Sequence, residues 1–300
     1  MEKKNKLLLT LIMVVVAINL GLFLVPKKGS SVSFDERMFV LPDTASVDQI
    51  SFVGENEYSL TESNGRWLVN EDNPVDEGLM RLLMSIMQRV RVKRPVAEVS
   101  QEGVKVIFGN NDANSFVVSG NATRTKTYFT QGGKSYEVEI PGYRDYLASI
   151  FELHPDQWRD RLVLDESWRT IQELKLDYVE GDDRGFDIRF NDEFFVVENV
   201  SPIDSSGVVE YLNQFQYLQA NERISVGRFP KYDTLAKATP LALLSIESIN
   251  SLETMTYKIY EKLPGEGFHL VVGPDGEMLI FDQRRVSQIL RKRDDFKLSE

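Results

Sequence analysis

An internal duplication constrains the fold of this chain more than any other feature. The segment Phe34–Val40 and the segment Trp158–Leu164, which lies 124 positions later, both contain an aromatic residue, then an acid, an arginine and apolar residues. The same spacing relates Val47–Phe52 to Ile171–Leu176, where apolar and polar residues alternate as in a half-buried strand. A repeat of this length predicts a scaffold built from two similar units.

The duplication continues into a helix in each unit. Pro74-Val75-Asp76 matches Pro202-Ile203-Asp204 at a spacing of 128. Asp76 and Asp204 are predicted to accept hydrogen bonds from the free amides of the first helical turn. Apolar residues then recur at helical spacing, at Leu79, Leu82, Leu83, Ile86 and Val90 in the first unit and at Val208, Tyr211, Leu212, Phe215 and Leu218 in the second.

Strand patterns follow each helix, separated by turns of hairpin length. They lie at Val104–Phe108, Ser115–Val118, Thr125–Phe129 and Ser135–Ile140, and at Leu243–Glu247, Thr254–Glu261, Phe268–Val272 and Glu277–Phe281. A short amphipathic helix is expected to close each unit, at Tyr143–Leu153 and Arg284–Arg293. The pattern predicts an α+β fold, in which two repeated units of antiparallel sheet carry amphipathic helices on one face. Whether the two units share sheets stays open.

An apolar stretch precedes the repeat. Leu7–Val25 contains nineteen uncharged residues with lysines on both sides, which predicts a transmembrane helix. The alternative is a cleaved secretory signal, although this stretch exceeds the usual apolar core of a signal and no small-x-small cleavage site precedes Pro26. We therefore expect an anchor at 1–28 and units at 29–154 and 155–300. The amino terminus would be cytoplasmic and the main body periplasmic.

The repeated blocks resemble a known family. Phe34-Asp35-Glu36-Arg37, Trp158-Arg159-Asp160-Arg161, the Gly65–Val69 strand and the Pro-x-Asp helices are similar to those of the domain-of-unknown-function 4340 family. The resemblance implies a single-pass protein of the bacterial inner membrane that accompanies an ABC-type transport system of the kind associated with gliding motility. It implies no catalytic residues.

Composition excludes several kinds of chemistry. The chain has no cysteine and only two histidines, His154 and His269, so thiol catalysis and a cysteine- or histidine-rich metal site are excluded. Its net charge of −11 disfavours a nucleic-acid binder. Both histidines are expected to be structural, with His269 on a strand surface. We therefore expect no cofactor, no small-molecule substrate and no enzymatic activity.

Trp158 leaves one alternative function open. Asp156, Asp160, Asp165 and Glu166 surround it in the sequence, and such carboxylates could bind or cleave an envelope glycan. The duplication favours a folding role instead, because the first copy places Asp35 and Glu36 at similar positions, beside Phe34 and Arg37.

Two further patterns bear on partners. Arg89, Arg91, Lys93 and Arg94 form a basic run that could be a solvated helix end, neutralise nearby acids or dock an acidic partner. Met80, Met84 and Met87 could fill the core or form an adaptable binding surface. The sequence as a whole predicts a membrane-anchored interaction module whose partners are membrane proteins of an ABC-type transport or gliding assembly.

Overall fold

A computed structural model of the chain describes residues 34–97, 99, 103–109, 114–179 and 184–298. Residues Phe39–Glu300 form one compact unit, and Met1–Met38 belong to another. The described residues of the latter form a turn, in which the Met38 amide donates to the Asp35 carbonyl at 3.2 Å.

The first sheet contains nine antiparallel strands from residues 49 to 139. They are β1 (Gln49–Val53), β2 (Tyr58–Ser63), β3 (Arg66–Val69), β4 (Asn73–Pro74), β5 (Arg91–Val96), β6 (Val104–Phe108), β7 (Ser115–Gly120), β8 (Thr127–Gln131) and β9 (Lys134–Glu139). Their order in the sheet is β4-β3-β2-β1-β6-β7-β8-β9-β5. Alternate residues such as Ile50, Phe52, Leu60 and Val106 are fully buried, so the period-two pattern of the sequence sets the core face.

The second sheet contains eight antiparallel strands from residues 171 to 282. They are β11 (Ile171–Tyr178), β12 (Phe186–Phe190), β13 (Phe195–Val197), β15 (Glu222–Ile224), β16 (Ala242–Ser248), β17 (Met255–Ile259), β18 (Phe268–Val272) and β19 (Met278–Asp282). Their order is β13-β12-β11-β16-β17-β18-β19-β15. A separate two-stranded sheet pairs β10 (Leu162–Leu164) with β14 (Leu218–Gln219).

The two large sheets follow the same chain path, and neither takes a strand from the other half. In each, a meander leads into a helix, the next strand goes to the far edge, and a second meander fills the gap. The register agrees residue by residue: Leu60 pairs with Val69 in the first sheet, as Ile188 pairs with Val197 in the second. Positions 128 apart in this region are therefore structurally equivalent.

The helices are short. They are α1 (Glu77–Arg89), α2 (Ser205–Asn213), α3 (Pro230–Leu235) and α4 (Gln283–Ile289), with 3-10 turns at Leu147–Ile150, Pro155–Trp158 and Arg293–Phe296. Asp76 accepts from the Leu79 amide at 3.0 Å, and Asp204 accepts from the amides of Ser206 and Gly207. These carboxylates start α1 and α2 by satisfying amides that lack an intrahelical partner.

The predicted α+β fold class is wrong, because two large antiparallel sheets make the described part of the chain β-rich. The expected helix at 143–153 is only a 3-10 turn, and the basic run after α1 continues as edge strand β5 instead of a solvated helix end. No helix in the described part of the chain is long and apolar enough to cross a membrane. The transmembrane helix of the predicted fold class thus has no counterpart there, and the stretch Leu7–Val25 lies outside the described residues.

A group of charged side chains connects the second sheet to the segment around Arg159, which forms a β-bridge with Val75 of the first half. Glu277 forms ion pairs with Arg159 and Arg223, and all three side chains are largely buried. Arg223 also donates from Nε to the Asp160 carbonyl at 2.5 Å. We call Arg159, Arg223 and Glu277 the junction cluster, because it links the segment after the first sheet to strands of the second.

Candidate functional site

A groove lies between α1 and the β2–β3 hairpin. It has a volume of about 660 Å³, in the range of pockets that hold small ligands or single peptide side chains. We call it the first groove. Its lining residues are Gly65, Arg66, Trp67, Pro74, Val75, Glu77, Met80, Arg81, Met84, Ser85, Gln88 and Asp160.

Local sequence positions the hairpin side of the groove. Asn64 and Gly65 both adopt positive φ, 52° and 81°, as the two central residues of a tight hairpin turn require. The pairing of Ser63 with Arg66 follows directly, and Trp67 then faces Glu62 across the hairpin. The turn therefore fixes Arg66 and Trp67 beside α1.

The floor of the first groove is apolar and incompletely covered. Met80 is buried, whereas Trp67 and Met84 are only half-buried. Of the predicted methionine stripe, Met87 lies wholly in the core. Tryptophan, methionine and arginine are the residue types that protein interfaces favour, so the groove has the composition of a binding surface.

The exposed charged side chains at the rim of the first groove form weak ion pairs or none among the described residues. Arg81 lies 3.3 Å from Glu77, but both side chains are highly exposed, and such a pair contributes little. Arg66 is exposed and forms no ion pair with any residue that the structure describes. Asp160 is already engaged, because its Oδ1 accepts from the Leu162 amide at 3.0 Å.

The second unit contains a groove at the equivalent place. This second groove, of about 560 Å³, is lined by Phe194, Ser205, Ser206, Val209, Glu210 and Asn213. Four of these positions correspond to Arg66, Glu77, Arg81 and Ser85 of the first groove at the spacing of 128. The fold therefore builds the same kind of groove twice.

The floors of the two grooves differ in coverage. The equivalents of Trp67 and Met84 are Phe195 and Leu212, which are 3% and 0% exposed. Phe194 packs its ring edge-on against Phe195 at 5.7 Å between centroids, where the first unit has Arg66. The second unit thus buries the floor residues that the first unit leaves half-buried, and Phe194 is one of two rings, with Phe190, that pack against Phe195.

Trp158 is fully buried and structural. Its Nε1 donates to the Tyr58 hydroxyl at 2.8 Å, and that hydroxyl donates to the Leu153 carbonyl at 2.9 Å. Burial raises the pKa of Tyr58 well above its ordinary value, so the hydroxyl stays protonated. Because Trp158 offers no ring face to solvent, it cannot stack on a sugar.

The carboxylates near Trp158 also have intramolecular partners. Asp156 accepts from the Ser225 amide at 2.9 Å and the Ser225 hydroxyl at 2.6 Å. Glu166 accepts from the Ser248 hydroxyl at 2.6 Å, and Asp165 accepts from the Tyr217 amide at 3.3 Å. These hydrogen bonds hold loops together, and of the four carboxylates Asp160 lines the first groove.

The remaining residues of the predicted repeat motif lie apart. Phe34 and Arg37 belong to the separate unit, where the Arg37 amide donates to Asp35 Oδ1 at 2.8 Å. Arg161 lies 3.5 Å from Asp76 Oδ2. The Trp158 carbonyl accepts from the Asp76 amide at 2.7 Å, as the Phe296 carbonyl does from the Asp204 amide at 2.9 Å, so the structural counterpart of Trp158 is Phe296.

Neither histidine lies in a catalytic arrangement. His154 Nδ1 accepts from the Asp156 amide at 3.2 Å and caps the 3-10 turn that carries Trp158. His269 is buried, contrary to the strand surface predicted for it, with Nδ1 2.9 Å from the Tyr260 carbonyl. Within the described ranges, no group of three histidine, aspartate or glutamate side chains could hold a metal ion.

The predicted basic surface is partly neutralised. Arg94 lies 2.8 Å from Glu137, and Lys93 lies 2.8 Å from Glu139, across the β5–β9 pair. Burial would raise the pKa of Glu137, but hydrogen bonding and the charge of Arg94 hold that pKa below its ordinary value. Arg89 is exposed at the end of α1, and Arg91 is half-buried at the start of β5.

Comparison with protein-family models, with curated proteins and with solved structures finds no match to this chain. The first groove is therefore assigned from its own geometry. The sequence patterns pointed to Met84 but not to Arg66 and Trp67, which also line the first groove. A comparison of positions 128 residues apart could have identified the groove, because Arg66 corresponds to Phe194 and Arg81 corresponds to Val209.

Proposed function

We propose that this chain is a non-enzymatic interaction module of the bacterial envelope that binds another protein through the first groove. The observation that carries the proposal is the open floor of Trp67 and Met84 beside the exposed Arg66. A rigid antiparallel scaffold holds these side chains in place, and rigid presentation lowers the entropic cost of binding.

The proposed setting is an accessory subunit of an ABC-type transport or gliding assembly. Its support is the resemblance of the repeated blocks to the domain-of-unknown-function 4340 family. The proposed location is the inner membrane, with the main body in the periplasm, and its support is the apolar sequence of residues 7–25 with its flanking lysines.

Photocrosslinking in living cells tests the function. A photoreactive amino acid replaces Ser85 in the groove or, as a matched control, Tyr217 on another exposed surface. We expect Ser85 to crosslink to subunits of a membrane transporter and the control position not to do so. Trp67→Ala should abolish the Ser85 adduct. Adducts only between copies of this chain, or equal adducts at both positions, would contradict the proposal.

A reporter fusion tests the location separately. Alkaline phosphatase fused after Glu300 is active only when it is exported, so the fusion should be active in intact cells. Deletion of residues 7–25 should remove that activity while leaving the level of protein unchanged. An inactive fusion to the full chain would place the main body on the other side of the membrane.

A further inference from the structure

We propose that the first groove receives an aromatic side chain from an acidic segment of the partner protein, in the position that Phe194 fills in the second unit. This inference rests on the proposed function and specifies the chemistry of the partner. Its starting point is the structural equivalence of the two grooves.

The second groove serves as an internal template for the missing contact. Phe195 and Leu212 are buried there, and the rings of Phe194 and Phe190 both pack against Phe195. The first unit places Arg66 at the position of Phe194, and Trp67 and Met84 are left half-buried. An aromatic side chain from outside would complete the same packing, since a tryptophan face and a polarizable thioether both favour contact with a ring.

The arginines of the first groove are not needed to build it. The second unit forms its groove with Phe194 and Val209 at the positions of Arg66 and Arg81. The fold therefore tolerates apolar residues at both places. Two exposed arginines therefore lie beside the apolar floor for a reason other than folding, together with the carboxylates of Glu77 and Asp160.

The arginines at the rim indicate which residues flank the aromatic ring in the partner protein. Arg66 has no carboxylate partner among the described residues, and Arg81 has only the weak, exposed contact with Glu77. Guanidinium groups pair with carboxylates through two parallel hydrogen bonds. An aspartate or glutamate next to the aromatic residue of the partner would pair with Arg66, and a second acid could compete with Glu77 for Arg81.

Synthetic peptides test this inference on the full-length chain in detergent. The probe is a fluorescein-labelled peptide with a phenylalanine between two pairs of acidic residues. One comparison peptide replaces the phenylalanine with alanine, and another replaces the acids with lysine. Fluorescence anisotropy should show saturable binding of the first peptide, with dissociation constants at least about ten-fold higher for the other two.

Two substitutions at Arg66 make the test specific to the groove. Arg66→Phe copies the second unit, so it should cover Trp67, reduce the acrylamide quenching of tryptophan fluorescence and weaken binding of the acidic peptide at least about ten-fold. Arg66→Glu should weaken the acidic peptide and strengthen the lysine peptide. Leu252→Ser, at a fully exposed loop residue, is the control and should change neither affinity. Thermal unfolding of each variant checks that it folds.

The outcomes separate this inference from the proposed function. A dissociation constant above about 1 mM for the acidic aromatic peptide, or equal binding of the lysine peptide, overturns it. Unchanged binding by a folded Arg66→Phe variant overturns it as well. If crosslinking at Ser85 succeeds while the peptides fail, the groove binds a partner of different chemistry. If the peptides bind but no transporter subunit is crosslinked, the setting is wrong and the recognition chemistry stands.

Discussion

Glu277 is shared by two largely buried arginines, Arg159 and Arg223, in the junction cluster. Glu277→Gln removes the carboxylate that pairs directly with both guanidinium groups in a poorly solvated place, although Asp275 stays near both. We expect the free energy of unfolding to fall by about 3 kcal/mol, the lower end for breaking a buried ion pair. Urea denaturation at neutral pH measures the loss. Glu266→Gln breaks only an exposed pair with Lys231 and should cost less than about 1 kcal/mol. Equal losses would contradict the assigned role of the cluster.

His154 gives the fold a pH dependence. Burial, followed by the nearby charge of Arg228, lowers the pKa of His154 below its ordinary value, while Asp156 and Glu222 oppose the shift. The unfolded chain therefore binds a proton more readily than the folded one. The contribution of neutral His154 to the free energy of unfolding is fully present above about pH 6.5, the ordinary pKa of histidine. It decreases as the pH falls through the folded pKa.

The variant His154→Asn keeps a side-chain acceptor for the Asp156 amide but cannot titrate. We expect the urea midpoint of the natural chain to fall more than that of the variant between about pH 7.5 and about pH 5. Parallel pH profiles for the two proteins would show that His154 does not contribute. The comparison cancels the titration of all other groups, which both proteins share.

Single residues were predicted from sequence only where their environment is local. The capping roles of Asp76 and Asp204 follow from a Pro-x-Asp pattern, and both are confirmed. The surface position of His269 was wrong because the main apolar cluster, with Val271 of β18 and Phe281 of β19, lies on the same face of the sheet as His269. Alternation along one strand shows which residues share a face, but it does not show that both faces of the strand are buried.

At the scale of elements, the two capped helices allow a matched comparison. Asp76→Ala and Asp204→Ala each remove an acceptor for first-turn amides, and each should lower the free energy of unfolding by about 1 kcal/mol. The double variant should lose about the sum, because the two caps start different helices. Glu261→Ala at an exposed position is the control. A loss near zero for either aspartate would show that its helix is held by packing alone.

Strands were predicted better than helices. The patterns at Val104–Phe108 and Phe268–Val272 coincide with β6 and β18. The basic run after α1 was not recognised as a strand, because its acidic partners on β9 lie more than forty residues further along the chain. Leu82 was assigned to the buried face of α1 but is 44% exposed, since Met80, Leu83, Ile86 and Met87 form that face.

The charges of edge strand β5 are better explained by protection of the strand from pairing with other chains than by docking of a partner. It occupies the end of the first sheet, and it carries Lys93, Pro95 and an irregularity between Val92 and Arg94. Lysine, proline and bulges are the common means by which exposed edges avoid pairing with other chains. The hypothesis of a partner surface at Arg89, Arg91, Lys93 and Arg94 stays a prediction, and the first groove is the better candidate.

At the scale of the whole molecule, Phe39–Glu300 should unfold as one cooperative unit. The segment after the first sheet contacts the first half through the bridge between Val75 and Arg159, and it is linked to the second sheet by the junction cluster and by the hydrogen bonds of Asp156 with Ser225. We expect urea transitions followed by tryptophan fluorescence and by far-ultraviolet circular dichroism to coincide. In the double variant Asp156→Asn with Glu277→Gln, the fluorescence and circular-dichroism transitions should have different urea midpoints. Two resolved transitions in the natural chain would show that the halves are thermodynamically independent.

The sequence could predict the presence of a repeat but not the differences between its copies. Spacings of 124 and 128 residues relate strands that occupy the same positions in the two sheets. The open floor of the first groove depends on Phe194 and Arg66, which are equivalent in position but unlike in chemistry. Similarity searches within a sequence discard such positions, although they are where one copy can acquire a function that the other lacks.

The chain path has a consequence for synthesis on the ribosome. In each half the edge strand is made before its only neighbour: β5 precedes β9, and β15 precedes β19. The carboxylate that joins Arg159 to Arg223 is translated 118 and 54 residues after them. At about 5–20 residues per second, Glu277 is made about 6–24 s after Arg159 and about 3–11 s after Arg223. The nascent chain must therefore hold Arg159 and Arg223 without their ion pairs until Glu277 is made. A chain that ends before residue 277 cannot form these ion pairs.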